Sequence, residues 1–285
     1  MSVIKVNNIT NKTGIAGPAI AGIVTVSSSS HFVVPTGHTG QRYADGGENI
    51  VRDGLVLYLD AKYSYPGATG TNPDVYTWYD MSGNENHGEL IGGVGYSASN
   101  GGSLSFDGSD DYVNLNTTLS SIISSSLPTT WSSWVNVVSS SSNRAIIGSA
   151  WSNGGVHMRL TGSTHAPQDR IRFLYFTDGN NGTGFDSLST FTSGWYNFVA
   201  TYNGGGLSHT NFKFYVNGVE GSVTNPTFGT PTTTPTTQTF SIGRAGTENE
   251  AYYNSNIAQV SIYNRALTAA EISQNFNETR SRYGI

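Results

Sequence analysis

The sequence predicts an all-β protein built from two packed antiparallel sheets. Short runs of apolar and β-branched residues alternate with clusters of Gly, Asn, Asp and Ser, which is the pattern of strands joined by tight turns. The chain of 285 residues contains 35 glycines, and only 12% of its residues are charged. Such a composition is typical of a turn-rich β fold with a weakly charged surface.

The strand pattern becomes steady at Leu55, where leucines alternate with other residues through 55–60 and predict a first strand. Further strands are predicted at 131–138, 145–148, 156–160, 170–176, 195–202 and 212–216. The last of these ends at Asn217-Gly218, which favours a two-residue hairpin because a type I′ turn needs positive φ at both central residues.

A short helix is predicted near the C-terminus. Thr268 has the character of an N-cap, and Glu271 stands three residues later, so the two can form a capping box. Leu267 can pack on Ile272 as a hydrophobic staple. We expect the helix to run to about Arg280 and to pack against the edge of the sandwich.

Residues 1–53 differ from the rest of the chain. Short β-prone runs at 3–9 and 20–26 are separated by Gly, Pro and a serine tract, and such pieces cannot form a core of their own. We interpret 1–53 as a docking arm that orders on a partner by adding strands or wrapping its surface. The alternative is an extension that packs on its own domain, residues 54–285.

Net charge and cysteine content argue against several classes of function. The formal net charge is −5 and no basic stripe is present to neutralise phosphates, which argues against nucleic acid. The absence of cysteine excludes disulfides, thiolate nucleophiles and cysteine-based zinc sites. The apolar run 14–26 is broken by Gly and Pro and lacks a charged flank, so we expect neither a signal peptide nor membrane insertion.

The sequence offers no clear catalytic constellation. Retaining glycosidases hold two carboxylates about 5–5.5 Å apart, which on one strand requires acidic residues at i and i+2 or i+4. The nearest acidic pair, Glu248 and Glu250, falls in a Gly- and Asn-rich loop. No Gly-x-Ser-x-Gly elbow or metal-ligand histidine spacing occurs, and His87 is interpreted as a locally hydrogen-bonded loop residue. We therefore expect no enzymatic activity.

Clustered oxygen donors predict one calcium site. The donors are Asp80, Asn84, Asn86, Asp107, Asp110 and Asp111. Ca²⁺ takes about six to eight oxygen ligands, and loops that meet at one rim of a sandwich can supply them. The candidate ligands are Asp80, Asn84, Asp107 and Asp110. The alternative is that these side chains cap their own turns, since Asp107-Gly108 is a turn dipeptide.

Aromatic residues in loops are candidates for ligand contact. Sugars bind aromatic faces through their C–H groups and polar side chains through their hydroxyls, the usual mixture in small-molecule sites. Most of the 5 Trp, 16 Tyr and 12 Phe must lie in the core. The loop residues expected to be exposed and to contact a glycan or a partner are Trp151, Tyr252, Tyr253 and Asn254.

Three motifs carry a family resemblance. W-Y-D-M-S-G-N-E-N-H-G (78–88), S-L-S-F-D-G-S-D-D-Y-V (103–113) and the segment 257–272 resemble motifs of the concanavalin A-like, laminin-G-like jelly-roll family. The resemblance runs from about Gly54 to Tyr283 and implies an antiparallel jelly-roll sandwich. The family includes lectins, carbohydrate-binding modules, adhesion domains and a few hydrolases, so the resemblance implies no particular ligand.

The leader carries a second resemblance. Segments 9–14 and 32–35, leading into 54–61, are similar to leaders of structural proteins from tailed phages, especially those of cyanobacteria. This resemblance implies a capsid-decoration or tail-fibre protein, made in the host cytoplasm and present in several copies on the virion. Residues 1–53 would bind other virion proteins while the domain adheres weakly to host surface polysaccharide. The alternatives are a free carbohydrate-binding adhesin and a glycoside hydrolase.

Overall fold

The computed structural model describes residues 49–64, 76–122, 128–149, 154–178, 180–225, 227, 229–230, 239–245 and 251–285. In chain order their elements are β1 (Leu55–Asp60), α1 (Ala61–Ser64), β2 (Thr77–Trp78), β3 (Gly88–Ile91), β4 (Gly95–Ser97), β5 (Ser103–Ser105), β6 (Tyr112–Thr118), α2 (Leu119–Ile122), β7 (Thr129–Val138), β8 (Arg144–Ser149), β9 (Gly155–Leu160), β10 (Arg170–Asp178), β11 (Asn181–Thr190), β12 (Ser193–Tyr202), β13 (Phe212–Val216), β14 (Val219–Gly221), β15 (Val223–Thr224), β16 (Thr239–Ile242), β17 (Asn256–Tyr263) and α3 (Ala269–Thr279). Every strand predicted above is present, with bounds that shift by at most two residues.

These strands form two antiparallel sheets that pack face to face. The first sheet has the order β14-β13-β12-β7-β17-β5-β4, with β1 also paired to β17. The second has nine strands in the order β15-β11-β10-β9-β8-β16-β6-β3-β2. The predicted all-β sandwich with a short C-terminal helix is confirmed. In the part of the chain described, no helix is long and apolar enough to cross a membrane.

Aromatic side chains fill the space between the two sheets. Trp131 of β7 contacts Phe173 of β10 and Phe240 of β16, with ring centroids 6.2 and 6.1 Å apart. Phe173 stacks in turn on Phe185 of β11 at 5.8 Å. All four rings are almost completely buried. Because successive side chains of a strand point to opposite faces, this packing also determines which residues face away from the core.

The predicted hairpin forms at Asn217-Gly218. Val216 pairs with Val219, and the two turn residues have φ of 50° and 77°. Gly218 has a second reason to be glycine, because a Cβ there would lie 2.9 Å from the Phe276 ring. The hairpin therefore lies directly against the C-terminal helix.

The capping box of the C-terminal helix is also present. The Thr268 side chain accepts a hydrogen bond from the Glu271 N–H, and Glu271 accepts one from the Thr268 N–H. Glu271 is also bound by Arg265, and these contacts, led by Arg265, lower its pKa to about 2. Helix α3 ends at Thr279, one residue before the predicted end.

The helix packs on the outer face of the first sheet, so the prediction that it lies at the sandwich edge is wrong. Phe276 and Tyr283 stack on Trp134, with ring centroids 5.7 and 4.0 Å away. The Trp134 Nε1–H donates to Thr279 Oγ1 at 2.8 Å. Trp134 belongs to β7, an interior strand, and its outward-facing indole needs a cover that the helix supplies.

Residues 49–53, which were predicted to belong to the arm, pack on the domain. Ile50 is 5% exposed. The Val51 N–H donates to Asn275 Oδ1 at 2.8 Å, and the Val51 carbonyl accepts from Tyr263 Oη at 3.0 Å. The compact unit spans Glu48–Ile285. Residues 1–47 of the predicted arm lie outside the described residues.

A buried ion pair joins the first strand to the end of the chain. Asp60 of β1 is 0% exposed and accepts two hydrogen bonds from Arg282, at 2.7 and 3.1 Å. Gln259 Nε2 and the Lys62 N–H donate to the same carboxylate. Because a buried charge is costly without a counter-charge, the pair ties β1 to the segment after α3.

We expect Arg282→Ala to lower the free energy of unfolding by about 3–5 kcal/mol, because Asp60 would stay buried without its cation. Urea denaturation followed by tryptophan fluorescence measures the loss. Lys213→Ala is the matched control, since it breaks an ion pair whose side chains are 56% and 51% exposed. Exposed pairs contribute about 1 kcal/mol or less. Equal losses in the two variants would contradict the assigned role of Asp60–Arg282.

Candidate functional site

Asp80 organises the loop between β2 and β3. It is 8% exposed. Its Oδ1 accepts from the N–H groups of Tyr58 and Ser82, at 2.8 and 2.9 Å. Its Oδ2 accepts from Ser82 Oγ and the Asn86 N–H, at 2.8 and 3.0 Å. Both oxygens therefore already have donors that hold the loop against β1.

The neighbouring predicted residues share this local role. Asn84 Nδ2 donates to Ser82 Oγ at 2.9 Å, and Asn86 Nδ2 donates to the Val56 carbonyl at 3.0 Å. His87 Nδ1 accepts from the Asp80 N–H at 3.0 Å. The loop thus uses its polar side chains to satisfy backbone groups, as Asx turns do.

Three carboxylates meet in the loop between β5 and β6. Each of Asp107, Asp110 and Asp111 offers one oxygen, and these oxygens lie within 4.8 Å of one another. Two of the four predicted ligands, Asp107 and Asp110, are therefore brought together. The third carboxylate is Asp111, while Asp80 belongs to the other loop. In the sequence, Asp111 is indicated as an oxygen donor by its position directly after Asp110.

The buried member of this cluster is Asp111, which is 4% exposed. Its Oδ2 accepts from the Asp107 N–H at 2.9 Å. Burial raises the pKa of Asp111, the Asp107 N–H lowers it, and the charges of Asp107 and Asp110 raise it further. The cluster is thus electrostatically unfavourable when fully ionised, and a bound cation would offset the repulsion.

Asn254 lies beside the acidic loop. Gly108 has a φ of 84°, and a Cβ there would lie 2.7 Å from the Asn254 Cβ. Asn254 Oδ1 is buried and has no hydrogen-bond partner among the described residues. An unsatisfied amide oxygen is a suitable further ligand for a hard cation. The predicted ligand loop and the predicted metal loop are therefore neighbours.

The expectation that Tyr253 is exposed is wrong. Its side chain is 1% exposed, and its hydroxyl donates to the Asn136 carbonyl at 2.8 Å. Burial raises the pKa of this hydroxyl well above its ordinary value. Tyr252 and Asn254 are partly buried, and Trp151 lies outside the described residues. Tyr253 is inward because the segment leading into β17 adds its ring to the core, against Phe106.

Carboxylates on the nine-stranded sheet are far apart. The described strands of this sheet carry Glu89 on β3, Asp178 at the end of β10 and Asp186 on β11. Asp186 pairs with Arg172, so it lies about 20 Å along the strand from Asp178, at about 3.3 Å per residue. Glu89 is separated from β10 by four intervening strands, or about 24 Å.

The sequence matches a protein-family model, and the fold matches several solved structures. The model of the concanavalin A-like lectin/glucanases superfamily matches residues 107–273. The receptor-binding domain of botulinum neurotoxin C/D mosaic serotype matches with a TM-score of 0.55 and 18% identity, over 80% of this chain and 52% of that one. No curated protein sequence matches the chain.

Two carbohydrate-active proteins contain similar domains. Domain 4 of a GH43 extracellular arabinanase from Geobacillus stearothermophilus, in complex with arabinotriose, matches with a TM-score of 0.54 and 15% identity, over 78% of this chain and 97% of that one. Trypanosoma rangeli sialidase matches with a TM-score of 0.52 and 15% identity, over 80% and 33%. The chain thus spans about half of the toxin domain and a third of the sialidase. Such low identities show the fold alone, whereas the family model covers more than half of the sequence, and the chain therefore belongs to the concanavalin A-like lectin/glucanases superfamily.

Proposed function

We propose that this chain is a non-enzymatic, carbohydrate-binding structural protein of a tailed-phage virion. The observation that carries the carbohydrate part is the match to domain 4 of the arabinanase, whose structure holds arabinotriose and is covered over 97% of its length. The folded domain would adhere to host surface polysaccharide, and residues 1–47 would attach the protein to other virion proteins. A free carbohydrate-binding adhesin is the alternative.

The spacing of carboxylates supports binding without hydrolysis. Glycosidases hold their two carboxylates about 5–5.5 Å apart for retention and about 6.5–9.5 Å apart for inversion. Asp186 and Asp178 are separated by about 20 Å along the sheet. Both oxygens of Asp186 accept hydrogen bonds of 2.6 Å from Arg172, which occupies the carboxylate. The hydrolase alternative would have to use carboxylates outside these strands, and the described ones that lie close together are Asp107, Asp110 and Asp111 in the loop between β5 and β6.

We expect the protein to bind host surface polysaccharide without releasing reducing sugars. Trp151→Ala should weaken binding, because it removes an aromatic face from the predicted contact loop. The matched control is Tyr76→Ala, which removes an aromatic ring that is 66% exposed and does not belong to the predicted contact loops. A glycan array followed by calorimetry measures affinity, and a reducing-sugar assay measures turnover.

Three outcomes would count against this proposal or a part of it. The absence of binding to any host polysaccharide would remove the carbohydrate part. Steady release of reducing sugars would replace the binding proposal with the hydrolase alternative. Equal weakening by Trp151→Ala and Tyr76→Ala would show that Trp151 is not the contact residue.

The virion part of the proposal rests on the resemblance of the leader to those of phage structural proteins. It is supported by the finding that Glu48–Ile285 forms a compact unit, in which Ile50 is buried and Val51 donates to Asn275. A domain of this kind can be carried by a separate attachment segment. Several copies on one particle would turn weak glycan binding into firm adhesion through avidity.

Deletion of residues 1–47 should leave a folded domain that no longer attaches to virions. Circular dichroism and thermal denaturation check the fold, and co-sedimentation with particles that lack the protein checks attachment. The full chain is the control. Attachment by the truncated protein would contradict the docking role, and retained glycan affinity without attachment by either protein would favour the free adhesin.

We further infer that the acidic loop binds Ca²⁺. The support is the meeting of Asp107, Asp110 and Asp111 beside Asn254 Oδ1, a buried oxygen without a described partner. These groups are hard oxygen donors, and the ion would offset the charges of Asp107 and Asp110, which raise the pKa of Asp111. The ion would fix the loop between β5 and β6 against the loop that carries Tyr252 and Asn254.

We expect added Ca²⁺ to raise the melting temperature, and a chelator to reverse the rise. At a hundredfold excess over the dissociation constant, the stabilisation is about 2.7 kcal/mol. Asp110→Asn should abolish the effect, whereas Glu89→Gln, an exposed acidic residue on β3, should keep it. Differential scanning calorimetry measures both. An unchanged melting temperature in wild type, or loss of the effect in Glu89→Gln, would contradict a site in this loop.

A further inference from the structure

A row of charged side chains crosses the outer face of the nine-stranded sheet. Val156, Met158 and Leu160 of β9 pack in the core, so Arg159 faces outward. Arg172 of β10 stands directly opposite Arg159 on one side and opposite Asp186 of β11 on the other. Cross-strand partners share a face, so the row runs Asp186, Arg172, Arg159.

Two guanidinium groups are thus placed side by side. Like charges directly opposite each other destabilise a sheet. The Nε and Nη2 groups of Arg172 donate to the two carboxylate oxygens of Asp186, and these side chains are 15% and 13% exposed. Arg159 is 8% exposed, and its pKa is lowered to about 10 by burial and then by the charge of Arg172, which Asp186 offsets in part.

Arg170 adds a third guanidinium to the same face. It precedes Arg172 by two residues on β10, with Ile171 between them in the core. Its side chain is partly buried, and its Nε is buried with no hydrogen-bond partner among the described residues. A buried donor of this kind is costly unless something accepts its hydrogen bond.

The loop between β9 and β10 brings His165 to this row. Burial, and then the charges of Arg172 and Arg159, lower the pKa of His165. The loop is held by a buried ion pair between Arg144 and Asp169, whose side chains are 1% and 3% exposed. The His165 N–H donates to the Gly162 carbonyl at 3.0 Å within the same loop.

We propose that Arg159, Arg170 and Arg172, with His165, form a subsite for the anionic group, carboxylate or sulfate, of an acidic polysaccharide. The proposal rests on the carbohydrate binding inferred above and names the ligand class. Guanidinium groups bind such anions with paired, charge-assisted hydrogen bonds. An anion here would offset the repulsion between the arginines.

Two further features fit a sugar acid. Leu188, two residues after Asp186 on β11, is 49% exposed and offers an apolar surface for sugar C–H groups. The chain as a whole carries a net charge of −5, so general positive charge does not explain the row. Apolar surface with a few convergent polar groups is the usual composition of a ligand site.

The test compares three oligosaccharides of related backbone: a neutral galactan, a sulfated galactan and an oligogalacturonate. Calorimetry at low salt should show that the wild-type chain binds at least one acidic form about tenfold or more tightly than the neutral one, as expected for one or two charge-assisted hydrogen bonds. The preferred acidic form identifies sulfate or carboxylate as the ligand group.

Three variants test the residues. Arg170→Gln should weaken binding of the preferred acidic form about tenfold and leave the neutral form unchanged. Asp186→Asn should strengthen acidic binding, since it removes the carboxylate that competes for Arg172. Lys213→Gln, which removes an exposed positive charge on β13, is the matched control and should change nothing. Thermal denaturation checks that each variant is folded. If Arg170→Gln does not fold, the comparison of Asp186→Asn with wild type tests the subsite.

Equal binding of all three oligosaccharides would overturn the subsite while leaving carbohydrate binding in place. Weaker acidic binding by Asp186→Asn would also overturn it, because the row would then be a structural ion-pair network. Binding of no oligosaccharide by wild type would overturn the subsite together with the carbohydrate part of the proposed function.

Discussion

The packing of Trp131 against Phe173 and Phe240 sets the register on which the rest of the domain depends. A strand that shifts by one residue moves every side chain to the opposite face. Since these rings belong between the sheets, Trp134 must face outward and needs the C-terminal helix as a cover. The same constraint turns Arg172 outward, because its neighbour Phe173 faces the core.

Local signals in the sequence predicted local structure well. Asn217-Gly218 and the Thr268–Glu271 capping box depend on residues within a few positions of one another, and both are present. Alternation and short apolar runs predicted the strands, including β8 and β9, which are buried on both faces. By contrast, the burial of Tyr253 depends on Asn136, more than a hundred residues away, and no local pattern reports such a contact.

In the candidate site, too, contacts between residues close in sequence were predicted, and contacts between distant residues were not. Asp107 and Asp110 were predicted together because they are close in sequence, and they do meet, with Asp111. Asp80 has the same residue type and a similar Gly-rich loop, yet its oxygens accept four hydrogen bonds from Tyr58, Ser82 and Asn86. The Asp80 oxygens are held by N–H and O–H donors. The carboxylates of the acidic loop also accept backbone N–H bonds, but they face one another as well, so their charges repel. Sequence spacing alone does not separate these two cases.

The arginine row could not be found from the sequence, because it exists only once β9, β10 and β11 are in register. Its chemistry also bears on the choice between binding and hydrolysis. A general acid must present a proton to the glycosidic oxygen, but both oxygens of Asp186 accept hydrogen bonds from Arg172. A sugar would have to displace that guanidinium before it reached the carboxylate. Fixed positive charge beside an occupied carboxylate favours holding an anion at this row, where Asp186 is engaged by Arg172.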